Sequence, residues 1–335
     1  MTIELAERGI TLAVVTYDRG DATFAGFLDA LQPVLSAQVA PRELLIVNNG
    51  GAGFLASLSA TVDTARARWR DAGLSTRSGA TLRDGSDAGC EPGRTQTVTV
   101  VTAIGDNLSD ARNLALEQAR HPLLAFVDDD QRMTADWLGA LLQCLASHDA
   151  DAVAGPVHCR FPASAPLWLR RTDFHNTRNK VTGQPLATAG AGNCLLVLDR
   201  LGSIRFDAAY GASGAEDTDF FMRLSASGGN IRWCAEAPAQ EVIADERASA
   251  RYALTRFMTQ GRSFRRLVTA GHGLPALAVF LLRAALQFLV AGAVGGALLL
   301  LGRPSAGDWL KKAFTNLGKL THGARDDYSA GSRDG

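Results

Sequence analysis

Short apolar runs alternate along the chain with longer stretches in which apolar residues recur every three or four positions, and this alternation predicts strands followed by helices. ITLAVVT, Ile10 to Thr16, is short and β-branched, as suits a buried strand. From Ala22 to Leu35, Phe24, Phe27, Leu28 and Leu31 take helical spacing, with Asp21 placed to cap the helix. ELLIVNN, about Glu43 to Asn49, predicts a second strand. After another helix, TVTVVTA (Thr97 to Ala103) predicts a third, followed by a helix over Ser109 to Arg120. LLAFV, ending at Val127, predicts a fourth. Strand, helix, strand in this order is the beginning of an α/β fold, a mostly parallel sheet flanked by helices. Beyond it, AVAGPV, NCLLVL and NIRWC predict further strands, and Glu216 to Ala226 a helix opened by its own acids.

Two stretches break the pattern. Residues 70–96 are dense in Gly, Ser, Asp and Arg with no apolar period, which predicts a mobile surface insertion. Pro275 to Leu301 is almost unbroken apolar sequence, longer than the roughly 20 residues that cross a bilayer core. Gly292, Gly295 and Gly296 would let another helix approach closely. Arg283 and Gln287 lie inside the run, so three arrangements stay open: a single span, an in-plane or re-entrant helix pair in the cytosolic leaflet, and a buried soluble helix. Arginines precede the run and Lys311, Lys312 and Lys319 follow it, a symmetry that favours the in-plane or hairpin arrangement. The organisation predicted is an α/β domain over 1–245, a basic helical segment over 246–273, apolar membrane-associating helices over 274–320 and a disordered tail over 321–335.

Composition changes this picture little. At 335 residues and 47% hydrophobic, the chain is long enough to bury a sizeable core. Lys+Arg and Asp+Glu balance at 34 each, so the net charge predicts no nucleic-acid partner. The 5 cysteines include no CxxC pair, which suggests neither a zinc cluster nor a disulfide framework and points to a reducing cytosol. MTIELAERGITLAVVTY lacks the basic start and apolar middle of a signal peptide, so the bulk of the protein is expected on the cytosolic side.

Two acidic clusters carry the candidate chemistry. Asp128, Asp129 and Asp130 close the fourth strand, at the carboxyl edge of a parallel sheet where open α/β folds place ligands. In an extended segment Asp128 and Asp130 would converge while Asp129 turns aside. Two converging carboxylates suit Mg²⁺ or Mn²⁺, whose shell water and substrate phosphates complete; the alternative is a solvated turn. The second cluster, Ala215-Glu216-Asp217-Thr218-Asp219, either supplies a general base or is an acid-rich first helical turn favourable to the macrodipole. His121, His148 and His158 are too scattered for a metal site.

Taken together, VVTYDR (Val14 to Arg19), LLIVNNG, NLSDARNLAL (Asn107 to Leu116), FVDDD and GASGAEDTDFFMRLSASGGNIRW (Gly211 to Trp233) resemble the family 2 glycosyltransferases of the GT-A fold. Glu241 to Phe264 is similar to the corresponding part of bacterial exopolysaccharide transferases of the succinoglycan type. The resemblance covers Ile10 to about Phe264, with a gap at the insertion. It implies a GT-A, nucleotide-diphospho-sugar transferase fold and an inverting, metal-dependent transfer of a hexose. The donor would be a nucleotide diphosphate sugar, expected to be UDP-linked. The acceptor would be a lipid-linked glycan or growing polysaccharide at the cytosolic face of the cell membrane.

By position in the family motifs, Thr16, Tyr17 and Arg19 would border the donor nucleotide. Asn48 would read its pyrimidine edge, although many members carry an aspartate there. Arg112, in the ARN signature with Asn113, would meet the donor phosphate or the metal-site carboxylates, or act only as a salt-bridge partner. Asp128 and Asp130 would hold the metal, with Asp128 also facing the donor. Asp217 would be the base, and Glu216 would orient it or the acceptor. Arg247, on one helical face with Arg251, would reach the donor diphosphate from a closing segment or face anionic lipid. Specificity is expected between about His158 and Gly192, where Trp168, Phe174 and His175 would stack on a sugar or simply pack.

Two rivals are weighed against this reading. A nucleotidyltransferase would need a Gly-rich basic phosphate loop, of which VVTYDRGD supplies little. A membrane-attached nucleotide-sugar binding module without turnover would have no use for a base at Asp217.

Overall fold

In the computed structural model the described residues are 7–18, 21–78, 96–105, 107–211, 214–269 and 273–321. The chain runs β1 (Ile10–Thr16), α1 (Asp21–Ala30), α2 (Gln32–Leu35), β2 (Glu43–Asn48), α3 (Gly51–Asp71), β3 (Thr76–Ser78), β4 (Gln96–Thr102), α4 (Leu108–Gln118), β5 (Leu123–Asp128), β6 (Gln131–Met133) and α5 (Trp137–Ser147). It continues through β7 (Ala152–Ala154), β8 (Val157–Arg160), α6 (Leu167–Arg170), β9 (Asn193–Val197), α7 (Glu216–Ala226), β10 (Ile231–Trp233), β11 (Ala239–Val242), α8 (Ala250–Thr269), α9 (Leu274–Leu300) and α10 (Ala306–Leu320).

These elements fall into two compact units. The first comprises residues up to Val157 with Asn179–Gly211 and Glu216–Gln240. Its 8-stranded sheet has the order β10-β7-β9-β5-β1-β2-β4-β3, in which β9 alone runs against its neighbours β5 and β7. Side chains alternate across the sheet, so Leu12 and Val14 of β1 join one core while Ala13 joins the other. Phe27, Leu28, Leu58, Val62, Trp137 and Leu141, from α1, α3 and α5, fill the first core. Ala111 and Ala115 of α4 and Phe220, Phe221 and Leu224 of α7 fill the second. Helices on both faces make the inner strands continuously apolar, which is why they read as unbroken runs.

Four expectations need correction. The helix expected over 22–35 divides after Ala30, because Pro33 has no N–H to continue the ladder and stands at the start of a new turn. Asp21 is the first helical residue rather than the cap. AVAGPV forms two strands, β7 and β8, separated by Gly155 and Pro156. A Cβ on Gly155 would lie 2.3 Å from the Ala237 carbonyl oxygen, so only glycine fits there. Within the expected insertion, α3 continues to Asp71 and β3 pairs in parallel with β4 at the sheet edge. Residues 79–95 lie outside the described residues.

The second unit comprises His158–Arg178, Ala212–Ala215 and the chain from Glu241 onward. Its core gathers Leu169, Phe174, Ile243, Ala253 and Phe257. α8 and α10 cross closely at two glycines: a Cβ on Gly261 would meet the Thr315 carbonyl at 2.0 Å, and one on Gly318 would meet the Met258 carbonyl at 2.0 Å.

At the start of β2 in the first unit, Glu43 is wholly buried. Its carboxylate accepts hydrogen bonds from the Thr11 and Thr99 hydroxyls (2.7 and 3.2 Å) and the Arg120 backbone N–H (3.0 Å), and lies 3.4 Å from the Arg120 guanidinium. Glu43→Ala strands these donors in the core and should cost about 3 kcal/mol or more. A urea-unfolding midpoint measures this, and Glu43→Gln, which keeps an acceptor, should lose less.

Candidate active site

Parallel pairing brings the carboxyl ends of β1, β2, β4 and β5 to one edge of the first unit, with Thr16 opposite Asn48, Asn48 opposite Thr102 and Val15 opposite Asp128. The three aspartates do not continue as an extended segment. β5 ends at Asp128, the chain turns at Asp129 and Asp130, and β6 begins at Gln131. The turn separates the carboxylates: Asp129 is 2% exposed and accepts a 2.8 Å bond from the Thr16 hydroxyl. Asp128 keeps 47% of its side chain exposed, and Asp130 is half-buried. Two acids therefore remain at the surface of the edge while the middle one braces β1.

Behind Asp128 lies Arg112 of α4. Its Nη1 donates to Glu216 Oε1 at 2.5 Å, and its Nη2 lies 3.6 Å from Asp128 Oδ1. Arg112 and Glu216 are almost completely buried. Burial lifts the Glu216 carboxyl to about 7 against the pull of Arg112. Burial works to lower the Arg112 value, but Glu216, Asp128 and Asp217 outweigh it and hold the guanidinium charged.

The surrounding NLSDARN segment explains this placement. Asn107 caps α4 by accepting from the Ser109 N–H (2.9 Å) and also donates to the Ala208 carbonyl (2.9 Å). Asn113 exchanges two bonds of 2.8 Å with the backbone of Phe206. Residues 206–208 are thus clamped to α4 shortly before α7. A Cβ on Gly211 would lie 1.7 Å from Asn107 Oδ1.

The first turn of α7 then divides its acids by task. Glu216 turns inward to Arg112. Asp219 pairs with Arg223 one turn later at 2.5 Å. Asp217 stays half-buried, its Oδ1 accepting from the Thr218 N–H at 2.6 Å.

Between Asp128 and Asp217 runs a strip of nearly bare backbone. A Cβ on Gly192 would lie 2.2 Å from Asp128 Oδ2, and one on Gly190 would lie 3.5 Å from Asp217 Oδ2. Asn193 anchors the strip at the start of β9, accepting from Trp137 Nε1 (2.9 Å) and donating to the Pro156 and Ala237 carbonyls (2.9 and 2.8 Å). Gly190, Gly192, Asn193 and Gly211 were not singled out from sequence. The small-residue run AGAGN directly before an apolar strand is the signal that marks the strip.

The predicted donor-side residues are placed unevenly. Thr16 is buried and its hydroxyl is engaged by Asp129, so it braces the site rather than bordering a base through its side chain. Asn48 is also wholly buried, donating to the Gly51 carbonyl (2.8 Å) and accepting from the Gly50 N–H (2.8 Å). Its amide closes the turn after β2 and has no face for a pyrimidine. Its neighbour Asn49 has a buried Oδ1 without a hydrogen-bond partner. Tyr17 is half-buried just beyond β1, and Arg19 lies outside the described residues. Arg112 and Glu216 are almost completely buried, with Arg112 between the Glu216 and Asp128 carboxylates. Arg247 lies in the second unit, in a short 3-10 turn (Asp245–Arg247) before α8. The break at Ser249, whose hydroxyl accepts from the Tyr252 N–H at 3.2 Å, separates it from the helical face of Arg251.

In the second unit Phe174 packs against Phe161 and Phe257, which settles it as core. His175 Nε2 meets Glu241 Oε2 at 2.6 Å, and Cys159 Sγ lies 3.5 Å from the same oxygen. Burial pushes the Glu241 carboxyl up, but His175 and Arg256 outweigh it and hold it at about 2. That carboxylate is already engaged by His175, so the trio reads as a hydrogen-bonded dyad with a thiol beside it.

Comparison with known proteins places these motifs. Residues 83–201 match Glycosyl transferase family 2. A succinoglycan biosynthesis protein, ExoM of Rhizobium meliloti (strain 1021), is 36% identical over 193 residues, 57% of this chain and 60% of that protein's length. Among solved structures, S. aureus TarS 1–349 in complex with UDP-GlcNAc is 12% identical with a TM-score of 0.48, covering 92% of this chain and 90% of that one. GalNAc-T7 with UDP, GalNAc and Mn²⁺ is 12% identical with a TM-score of 0.47, covering 70% and 44%. The family match covers residues 83–201, and the chain spans 60% of the length of its curated relative; the mostly parallel sheet flanked by helices is the α/β arrangement expected from sequence.

Two outcomes follow. Gly192→Ala should displace the Asp128 carboxylate while leaving the sheet intact, lowering kcat/KM about 10²-fold with an unchanged circular dichroism spectrum. Glu241, held below its ordinary value, contributes stability that is fully present above about pH 4.5 and is lost as pH falls through about 2. Acid unfolding of Glu241→Gln should accordingly be less steep over that window than that of the native chain.

Proposed function

We propose that this chain, which carries a glycosyl transferase family 2 domain, is an inverting, metal-dependent hexosyltransferase. Its donor is a nucleotide diphosphate sugar, UDP-linked, and its acceptor is a lipid-linked or growing polysaccharide at a membrane surface. The observation that carries the reading is the half-exposed Asp128 carboxylate, with Asp130 two residues on, set against Asp217 across the bare backbone of Gly190 to Gly192. The likeness to a succinoglycan biosynthesis protein supports a polysaccharide product.

The donor set fits a hard divalent cation. Asp128 and Asp130 offer oxygen ligands, Gly192 leaves room for the Asp128 carboxylate, and the buried Gln131 Oε1 beside them lacks a hydrogen-bond partner. Asp128 and Asp130 would hold Mg²⁺ or Mn²⁺, which when bound neutralises charge on a leaving diphosphate. Arg112 keeps Asp128 in place from behind and, being buried, holds its own orientation through Glu216. Asp217, half-exposed at the start of α7, takes the proton of the acceptor hydroxyl. The acceptor oxygen then bonds to the anomeric carbon as the bond from that carbon to the diphosphate oxygen breaks. A single displacement of this kind inverts the anomeric centre and needs no enzyme nucleophile.

The test uses the purified full chain in detergent with Mn²⁺ and a panel of UDP-, GDP- and dTDP-sugars, with and without lipid extract as acceptor. Nucleoside diphosphate release should appear with one donor class. Asp130→Ala should lose both metal-dependent donor binding and release. Asp217→Asn should keep donor binding and lose about 10²- to 10⁴-fold in kcat. Release of pyrophosphate instead would identify a nucleotidyltransferase, and donor binding by the native chain without any turnover would identify a binding module.

A further inference from the structure

α9 is long and apolar, yet it is not the core of its unit: only 11% of its most apolar window is buried. Its buried positions, Ala284, Ala291 and Gly295, form one narrow seam of small residues. Opposite that seam Val279, Leu282, Leu286, Leu289, Val290 and Leu300 are each more than half exposed. At 3.6 residues per turn these six lie on a single stripe, which runs about 32 Å along the helix. Arg283 and Gln287 fall to one side of the stripe and leave its apolar surface unbroken.

The seam is covered by α10, which runs antiparallel to α9. A Cβ on Gly295 would sit 3.2 Å from the Leu310 nitrogen and the Trp309 Cβ, while near the other end Lys319 lies in the field of Arg283. α10 is in turn tied to the polar segment after α6. Lys311 Nζ donates to the Phe174 carbonyl (2.7 Å), Asn176 Oδ1 (2.8 Å) and the Asp173 carbonyl, and Asp308 pairs with Arg178 at 2.7 Å. A Cβ on Gly307 would meet Thr172 Oγ1 at 2.0 Å. Were α9 to cross a bilayer in this arrangement, it would draw Lys311, Asp308 and Arg178 into hydrocarbon, where charged groups are costly and lipid-exposed irregular backbone is not tolerated. Only its outward stripe is free to meet lipid.

Charge selects the kind of lipid. α8 and α9 contain no acidic residue, and the sole acid of α10, Asp308, is at the end remote from Lys319. Lys319 Nζ lies 5.1 Å over the Phe264 ring, which shares a groove with Arg283, and donates to Asn316 Oδ1 at 3.0 Å; burial, Arg283 and Lys312 hold the Lys319 value down. That groove, of about 660 Å³, opens between the end of α8 and the start of α9, lined by Phe264, Val268, Leu277, Phe280 and Arg283. Apolar recess, cation at its rim and apolar stripe match the chain and phosphate of one class of molecule.

We infer that α9 lies in the plane of the membrane as a monotopic anchor, its Val279–Leu300 stripe in the acyl layer and Arg283, Lys312 and Lys319 on anionic phospholipid headgroups. The inference is independent of the transferase chemistry, since it concerns neither donor nor metal.

Two measurements on the full chain test it. The first is flotation with vesicles of phosphatidylglycerol and phosphatidylethanolamine against vesicles of phosphatidylcholine alone. The native chain should float with the anionic vesicles at least tenfold better. Arg283→Gln/Lys312→Gln should lose most of that preference, and Leu282→Asp/Leu286→Asp/Leu289→Asp should not float while keeping its circular dichroism. Equal flotation with both vesicles, or flotation of the triple aspartate variant, would overturn the assignment. The second is labelling of inverted membrane vesicles by an impermeant maleimide at Asp71→Cys in the first unit and at Arg303→Cys, between α9 and α10, each corrected for the parent chain. In-plane placement predicts that both label from the same side. Labelling from opposite sides means a crossing helix and sinks the proposal. Nucleoside diphosphate release, measured in detergent, reads the transferase separately.

Discussion

The first unit is organised around one buried cation. Arg112 has Glu216 at 2.5 Å and Asp128 at 3.6 Å, and the two acids come from elements far apart in sequence, the start of α7 and the end of β5. A buried guanidinium left without its carboxylates would be strongly destabilising, so α4, β5 and α7 are obliged to converge. Such a network adds little net stability over a well-packed apolar equivalent, but it tolerates few alternative arrangements. What it fixes is the direction of Asp128: Oδ1 is held from behind by Arg112, while Oδ2 accepts from Gln131 Nε2 at 3.2 Å and lies against Gly192. Charge counting then gives the edge its character, because Arg112 is answered by Asp128 and the buried Glu216, which leaves Asp130 and Asp217 as further acids at the edge.

Function is visible where the packing is least economical. Gly192 leaves a gap that no other residue could occupy beside Asp128, and Gly190 keeps the backbone bare in front of Asp217. Gln131 Oε1, Glu216 Oε2 and Asn49 Oδ1 are buried without hydrogen-bond partners, all near the carboxyl edge of the sheet. Buried polar atoms are ordinarily satisfied. Other such atoms, Thr76 Oγ1 and Gln96 Oε1, lie at the opposite ends of β3 and β4, so it is the carboxylates around these three, rather than their number, that set this edge apart.

Much of this was legible in the chain. Strands β1, β2, β4 and β5 read directly because burial on both faces makes them apolar throughout, and α7 could be bounded at Glu216 and Ala226 by its own acids and spacing. The convergence of DDD with the ED pair came from motif order. What the sequence did not encode is which way a side chain turns. Asn48 occupies a family position but spends its amide on the Gly50–Gly51 turn, and Arg247 stops short of the helix that would have aligned it with Arg251. Hydrogen-bond partners brought in by neighbouring strands decide such orientations, and no local period encodes them. Gly192 escaped notice for the same reason: the absence of a side chain acquires meaning only once Asp128 is seen beside it.

Net charge was the least informative of the sequence quantities, and the structure explains why. The balance of 34 acidic and 34 basic residues is the sum of segregated parts. Carboxylates gather at the carboxyl edge of the sheet in the first unit, while the helices of the second carry arginines and lysines almost alone. Screening in physiological salt limits each charge to a reach of about 8 Å, so a chain-wide total says little about the field at any one place. A neutral total therefore excludes neither a divalent cation at one place nor an anionic surface at another. Charge carries functional meaning at the scale of the helix and the strand end, and there this chain is far from neutral.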